Sequence, residues 1–413
     1  MRRRLLAQLT GLRQGQLVLQ DPLGKVELGT ATAQHPDLVV HVDILDMAFY
    51  RTVAANGSVG AGEAYMEGLW RCDNLVGLMQ LLVRNRDLLD GMETGIAYLG
   101  GVAMRARNAL RRNTRGGSRR NIAAHYDLSN EFFELFLSSD MMYSSAIWEA
   151  EADDDTLEVA SKRKLERICR KLDLRPTDHV VEIGTGWGGF ALYAAKHYGC
   201  HVTTTTISRE QHALARERIA AAGMSAQVTL LLDDYRDLRG HFDKLVSIEM
   251  VEAIGAPYLD TYFGQVGRLL KSDGLALIQA ITIEDHRYAQ ALRSVDFIKR
   301  HVFPGSFIPS INALLAAKTR SSDLALVQLE DFGESYARTL RAWRERFMAR
   351  LNEVRAQGFD EHFIRLWEFY LAYCEGGFRE RSIGVAHLLL AKPGYQPAAK
   401  KSSASLRTRR RVD

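Results

Sequence analysis

Val180-Val181-Glu182-Ile183-Gly184-Thr185-Gly186-Trp187-Gly188-Gly189-Phe190 runs from a short apolar strand into an E-x-G-x-G-x-G turn, and the amphipathic segment from Phe190 to Tyr198 comes next. Glycines at these spacings let the backbone turn tightly and come close to a nucleoside at the carboxyl edge of a parallel sheet. The pattern departs from the dinucleotide fingerprint, whose glycines cradle a pyrophosphate at a helix N-terminus. Here the strand ends in a carboxylate, Glu182, which repels a phosphate and suits a cationic amino-acid ligand. S-adenosylmethionine carries an ammonium and a sulfonium, so this turn points to it. A Gly-rich strand-to-helix turn without any ligand is the plainer alternative, and the surroundings have to decide between them.

On both sides of this turn, strand and helix patterns alternate. Strands are expected at Val180–Ile183, His201–Thr206, Val228–Leu232, Lys244–Ile248 and Leu275–Ile281, with helices at Phe190–Tyr198, Glu210–Ala221 and Tyr258–Leu270. That alternation specifies a doubly wound parallel sheet covered by helices on both faces. A further strand (Leu324–Leu329), two helices (Tyr336–Gln357, Glu361–Cys374) and a last strand (Val385–Leu390) complete the pattern. Before it, Gln16–Leu19 and Val39–Val42 read as strands and Ala48–Ala55 and Leu75–Leu82 as helices, a small α+β domain over residues 1–95. Within that domain, Gly60 to Trp70 (GAGEAYMEGLW) has aromatic and sulfur side chains suited to an apolar groove, although core packing is the commoner use of such residues. Residues 96–120 read as a basic helical linker, 121–392 as the catalytic domain and 393–413 as a basic, disordered tail.

The 413-residue chain can bury a sizeable core, and 46% hydrophobic with 25% charged residues is an ordinary globular balance. Net charge is only +4, but it is unevenly spread. Arg105, Arg107, Arg111, Arg112, Arg115, Arg119 and Arg120 fall in one stretch without an acid, and a second basic run from Lys400 to Arg411 closes the chain. Such runs serve as solvated linkers, nucleic-acid contacts or adhesion to anionic headgroups. The four cysteines (Cys72, Cys169, Cys200, Cys374) show neither metal spacing nor a disulfide framework, so no metal is expected. The apolar run after Met1-Arg2-Arg3-Arg4 is too short for a signal-peptide core or a membrane span, which gives a cytoplasmic expectation.

In a doubly wound sheet, ligands sit beyond the carboxyl ends of the strands. Those ends carry Glu182 and Gly184, with Gly186 in the turn; then Thr206-Ile207-Ser208 with Gln211, suited to a ribose. Next come Asp233-Asp234-Tyr235, where Asp234 can accept from an adenine amino group and Tyr235 offers a stacking face. The fourth strand ends in Glu249-Met250-Val251-Glu252, beside the expected methyl position. Each is weak alone; together they favour a nucleoside-type cofactor.

The runs His125 to Phe133 (HYDLSNEFF), Met142-Tyr143-Ser144-Ser145-Ala146 and Glu182 to Gly189 resemble the cyclopropane-fatty-acyl-phospholipid and mycolic acid cyclopropane synthases. Asp234-Tyr235-Arg236-Asp237-Leu238, Phe303-Pro304-Gly305, Ile308-Pro309-Ser310 and Tyr336-Ala337-Arg338-Thr339-Leu340 with Trp343 extend the resemblance over roughly residues 120 to 392. Gly62-Glu63-Ala64-Tyr65-Met66 with Trp70 carries it into the N-terminal domain. The resemblance implies a Rossmann-like class I S-adenosylmethionine-dependent methyltransferase fold, a seven-stranded, mostly parallel sheet with helices on both faces. It also implies transfer of a methylene carbon to the cis double bond of an unsaturated acyl chain in a membrane phospholipid. The working surface would be the inner face of an anionic membrane, contacted peripherally; a homodimer is left open.

That chemistry needs an aligned sulfonium methyl, aromatic faces and carboxylate around a carbocation, and a base for the final proton. In the family the base is a bicarbonate ion held by a cysteine, a glutamate, a histidine, a tyrosine and a backbone amide. Matched residue by residue, the glutamate is Glu252, the tyrosine Tyr336 and the backbone position Ile281. The cysteine is replaced by Ser145 and the histidine by Gln279. Both can hydrogen-bond an oxyanion, but neither titrates like imidazole, so a weakened or absent bicarbonate site is expected, with Glu252 positioning the ion or taking the proton. Cys374 matches a cysteine of the C-terminal motif, and Tyr143 and Ser144 join the cofactor set. A methyl-branching variant without ring closure is the close alternative. A nucleic-acid methyltransferase is disfavoured by the lack of a recognition module or an Asn-Pro-Pro-Tyr type motif, and an inactive lipid-binding protein by the intact cofactor edge.

Overall fold

The computed structural model describes residues 1–31, 38–90, 128–149 and 155–397. The Arg-rich stretch, the His125-Tyr126-Asp127 part of the first motif and the tail beyond residue 397 lie outside the described residues. Two sheets are present. The N-terminal one has the order β2-β1-β3-β4, with β1 (Gly15–Asp21), β2 (Gly24–Thr30), β3 (Val39–Ile44) and β4 (Trp70–Cys72). Sequence pattern shows β1 and β3 but not their partners, because β2 alternates Lys25, Glu27 and Gly29 with only two large apolar residues and β4 is three residues long.

The large sheet has the order β10-β11-β9-β8-β5-β6-β7. It comprises β5 (His179–Ile183), β6 (His201–Thr205), β7 (Val228–Leu231), β8 (Phe242–Ile248), β9 (Leu270–Ile283), β10 (Ala325–Asp331) and β11 (Ile383–Ala391). Strands β5 to β9 pair in parallel, while β11 is antiparallel to both β9 and β10. This is the seven-stranded, mostly parallel α/β sheet that the alternation and the resemblance imply. Val180, Val181 and Ile183 are wholly buried, as a central strand covered on both faces requires.

Three expected helices differ in extent, the first of them running on from Ala55 to Met66 across a kink at Gly57. The one expected over 336–357 is two, Gly333–Ala349 and Leu351–Ala356, separated at Arg350 (φ −116°, ψ 28°). The last runs on from Cys374 to Arg379. The helix packs on the N-terminal unit along its length: Tyr65 donates to Glu368 at 2.8 Å, and Arg84 and Gln80 donate to Glu380 just beyond the extra turn. One apolar cluster therefore spans both sheets, from Leu17, Val42 and Trp70 through Phe132, Phe133 and Phe136 to Trp343 and Trp367. Gly60 to Trp70 belongs to this cluster: Trp70 Nε1 donates to the Ala61 carbonyl, and a Cβ at Gly62 would come within 2.5 Å of the Phe297 ring.

Candidate functional site

The carboxyl ends of β5, β6, β7 and β8 open on one cavity of about 960 Å³. At its polar end the glycine turn leaves β5 with Gly184 at φ +99°, Gly186 at +53° and Gly188 at +86°, conformations that a Cβ opposes. A Cβ on Gly186 would meet nothing within 4 Å, so the turn faces open space there. Glu182 is buried beside it and accepts from Thr204 Oγ1 at 2.6 Å; burial pushes its carboxyl up to about 8. Thr206 Oγ1 donates to Gln211 Oε1 at 2.8 Å, which fixes the amide at the end of β6.

The two residues expected to meet an adenine, Asp234 and Tyr235, both line the cavity, and each also has a partner within the protein. Asp234 caps the short turn 235–237, and its carboxylate takes Arg236 through both Nε and Nη2 at 2.7 and 2.6 Å. Tyr235 lines the cavity but is only 6% exposed and packs edge-on to Tyr262, so most of its ring serves the core.

At the end of β8 the chain enters the left-handed region at Glu249 (φ +48°), a strained choice for a residue with a Cβ. The strain places a carboxylate at the centre of the site. Glu249 Oε1 accepts from the Ser145 backbone N–H at 2.9 Å and from Gln279 Nε2 at 2.8 Å, and Oε2 accepts from the Tyr336 hydroxyl at 2.7 Å. Three of the positions expected to gather around an anion thus converge on Glu249. The Ser145 hydroxyl does not take part; it donates to the Ala146 carbonyl at 2.9 Å, and the backbone makes the contact instead. Glu252, expected at the centre, sits to one side, where Oε1 accepts from the Ile281 N–H at 2.5 Å while buried Oε2 has no hydrogen-bond partner. Burial, then the charge of Glu249, push Glu252 up to about 8. Burial also raises Glu249, opposed by its three donors.

Sequence pattern does not select three of the contributors. Glu249 is visible in it only as a strand end. Lys164 is wholly buried, donates to Ser144 Oγ at 2.8 Å, and is pushed down to about 8 by burial despite Asp140, Glu249 and Glu182 nearby. Nothing in its helical charge pattern marks it. His387, the lone polar residue in the apolar run of β11, lies 3.0 Å from Gln279 Oε1 through Nε2, which turns the Gln279 amide nitrogen toward Glu249. The Tyr143 and Tyr370 hydroxyls are 2.9 Å apart, and with Phe303 and Cys374 their side chains form the wall beyond the carboxylates. Burial raises the Cys374 thiol, which keeps it in its unreactive form.

The carboxyls give a pH signature. Glu182 and Glu252 hold protons in the fold up to about 8, whereas unfolded carboxyls release them near 4.5. In between, the native state binds more protons than the unfolded state, so stability falls as pH rises. Between pH 6.5 and 8 the two carboxyls outweigh the opposite contributions of buried His387 and Lys164, so the melting temperature should fall by about 3 °C, and Glu252→Gln should make the slope shallower. A flat or rising wild-type profile in differential scanning fluorimetry would contradict this placement of the carboxyls.

From this polar centre the cavity continues into the N-terminal unit, where its lining is largely apolar, with Leu17, Leu19, Val42, Phe49, Val53 and Leu78 beside Arg4, Gln8 and Arg86. No cluster of potential metal ligands occurs among the described residues. Nor, among them, is any helix long and apolar enough to cross a membrane.

Comparison with known proteins gives consistent matches. Residues 113–388 match the family model described as mycolic acid cyclopropane synthetase. A tuberculostearic acid methyltransferase of Mycobacterium tuberculosis is 37% identical over 371 residues, 89% of this chain and 86% of its own. The cyclopropane-fatty-acyl-phospholipid synthase of Escherichia coli is 36% identical over 346 residues, 83% of this chain and 86% of its own. Among solved structures, a cyclopropane synthase from Mycobacterium tuberculosis superposes with a TM-score of 0.62 at 28% identity, covering 66% of this chain and 98% of that one. A mycolic acid cyclopropane synthase complexed with SAH and CTAB gives 0.61 at 28% identity, over 66% of this chain and 98% of its own.

Proposed function

The chain belongs to the mycolic acid cyclopropane synthetase family, and from that premise we propose that it transfers the methyl carbon of S-adenosylmethionine to the cis double bond of unsaturated acyl chains in membrane phospholipids. One observation carries this reading: a single cavity joins the glycine turn and buried carboxylates to a largely apolar tunnel in the N-terminal unit. The residues fit the cofactor. Open space beyond Gly186, the carboxyl of Glu182, whose ionised form a bound cation would stabilise, and the fixed Thr206–Gln211 pair suit a nucleoside carrying a cationic amino acid. Bound there, S-adenosylmethionine supplies an electrophilic methyl group.

The protein's part is to hold the alkene, exclude water and take a proton. The tunnel's apolar wall desolvates an acyl chain, and the Tyr143, Phe303 and Tyr370 rings suit a transient carbocation. We assign the Arg105–Arg120 stretch to contact with anionic headgroups, which would bring the tunnel to its substrate.

Ser145, Gln279 and Glu249 favour an open-chain product over a ring. A carboxylate tethered to β8 with both oxygens engaged cannot follow the new methyl group, and its donors weaken it as a base. The cation then has time to migrate along the chain before a proton leaves. Expression in a bacterium that lacks cyclopropane lipids, with NMR of the extracted lipids, tests both levels. Monoenoic chains should gain one carbon, with methyl-branch signals. Cyclopropane signals would overturn the open-chain product alone; unaltered lipids would overturn the function.

A further inference from the structure

We propose that the side-chain carboxylate of Glu249 is the proton acceptor of the reaction, a built-in base occupying the place where a mobile anion would otherwise sit. The inference rests on the proposed methyl-transfer function and deepens it. Four observations support it, beginning with position: Glu249 lines the cavity between the glycine turn and the aromatic wall. The donors come from three separate elements, namely the Ser145 N–H of a loop, the Gln279 amide of β9 and the Tyr336 hydroxyl of the helix Gly333–Ala349. Three convergent donors on one buried group make an anion-binding pocket, and here a side chain fills it.

Backbone strain is the third observation. A Cβ-bearing residue at φ +48° is held in the sparsely populated left-handed region, and that turn of the backbone delivers the carboxylate to its three donors. The fourth is the neighbour. Glu252 is spoken for by the Ile281 N–H at one oxygen, and at neutral pH it holds the proton that two adjacent buried carboxyls can keep between them. The three donors on Glu249, against one on Glu252, make Glu249 the member of the pair built to hold the negative charge. Lys164, buried against Ser144, adds positive potential on the same side.

The step balances without another reagent. A C–H bond on the carbon next to the cationic carbon breaks, and its electron pair fills the empty orbital as the π bond of a new double bond. The proton passes to a Glu249 oxygen and goes to water once the product leaves. His387 is a positioning residue in this arrangement, because it orients Gln279 rather than touching the carboxylate.

Two variants separate a chemical from a structural role. Glu249→Gly relieves the left-handed strain and opens the pocket, whereas Glu249→Gln fills it with a group that cannot accept the proton. Turnover on monoenoic phospholipid vesicles is measured in carbon dioxide-free buffer and again with added bicarbonate or formate; S-adenosylhomocysteine affinity reports an intact fold. The wild type should run at the same rate, within twofold, in both buffers. Both variants should lose about 100-fold or more without added anion. Bicarbonate should restore the Gly variant to within tenfold of wild type and leave the Gln variant unrescued. A wild type that methylates lipid only when bicarbonate is present would overturn the inference while leaving the function standing, as would a Gln variant with wild-type turnover. A wild type inactive in both buffers would remove the function, and this inference with it.

Discussion

Gly186→Val should weaken S-adenosylhomocysteine binding by about 100-fold or more, equivalent to ~2.7 kcal/mol, while the protein stays folded. Two effects combine. Gly186 sits at φ +53°, where a β-branched residue costs roughly 1–2 kcal/mol of strain, so the turn would shift. A Cβ there also projects into open space at the polar end of the cavity, where the ligand has to lie. Isothermal calorimetry measures the affinity, and a melting curve shows whether the loss reflects unfolding. Unchanged affinity in a folded variant would sink the cofactor placement.

Val53→Asp should reduce turnover on phospholipid vesicles by about 100-fold while S-adenosylhomocysteine affinity stays within threefold. Val53 is half-buried on the helix Ala48–Met66 and faces the tunnel, away from the glycine turn. A short carboxylate there cannot reach back to water, and facing an acyl chain without a partner costs a few kcal/mol. A variant that methylates lipid normally would show that the acyl chain does not use the tunnel. A variant that loses cofactor affinity in parallel would show a damaged fold.

Much of the fold is written in local sequence. The central strands are continuous apolar runs bounded by turns. The Val180–Ile183 run with its glycines fixes both the strand and the turn after it, because only glycine adopts three positive φ angles so close together at little cost. The strand-end rule then brings Glu182, Gly186, Thr206, Gln211, Asp234 and Glu252 to one cavity. Short or half-polar elements escape, as with β2 and β4, since periodicity needs length and contrast to register.

The sequence alone also locates the departure at Ser145 and Gln279 from the family's cysteine and histidine. It cannot say what compensates for them. Tertiary structure decides that: whether Glu249 or Glu252 occupies the centre depends on one backbone angle at the end of β8 and on donors drawn from positions 145, 279 and 336. Likewise Lys164 and His387 matter only through burial against residues far away in the chain. Propensity and spacing report on neighbours along the chain, whereas the protonation and orientation of a buried group are set by the charges and donors that folding brings around it.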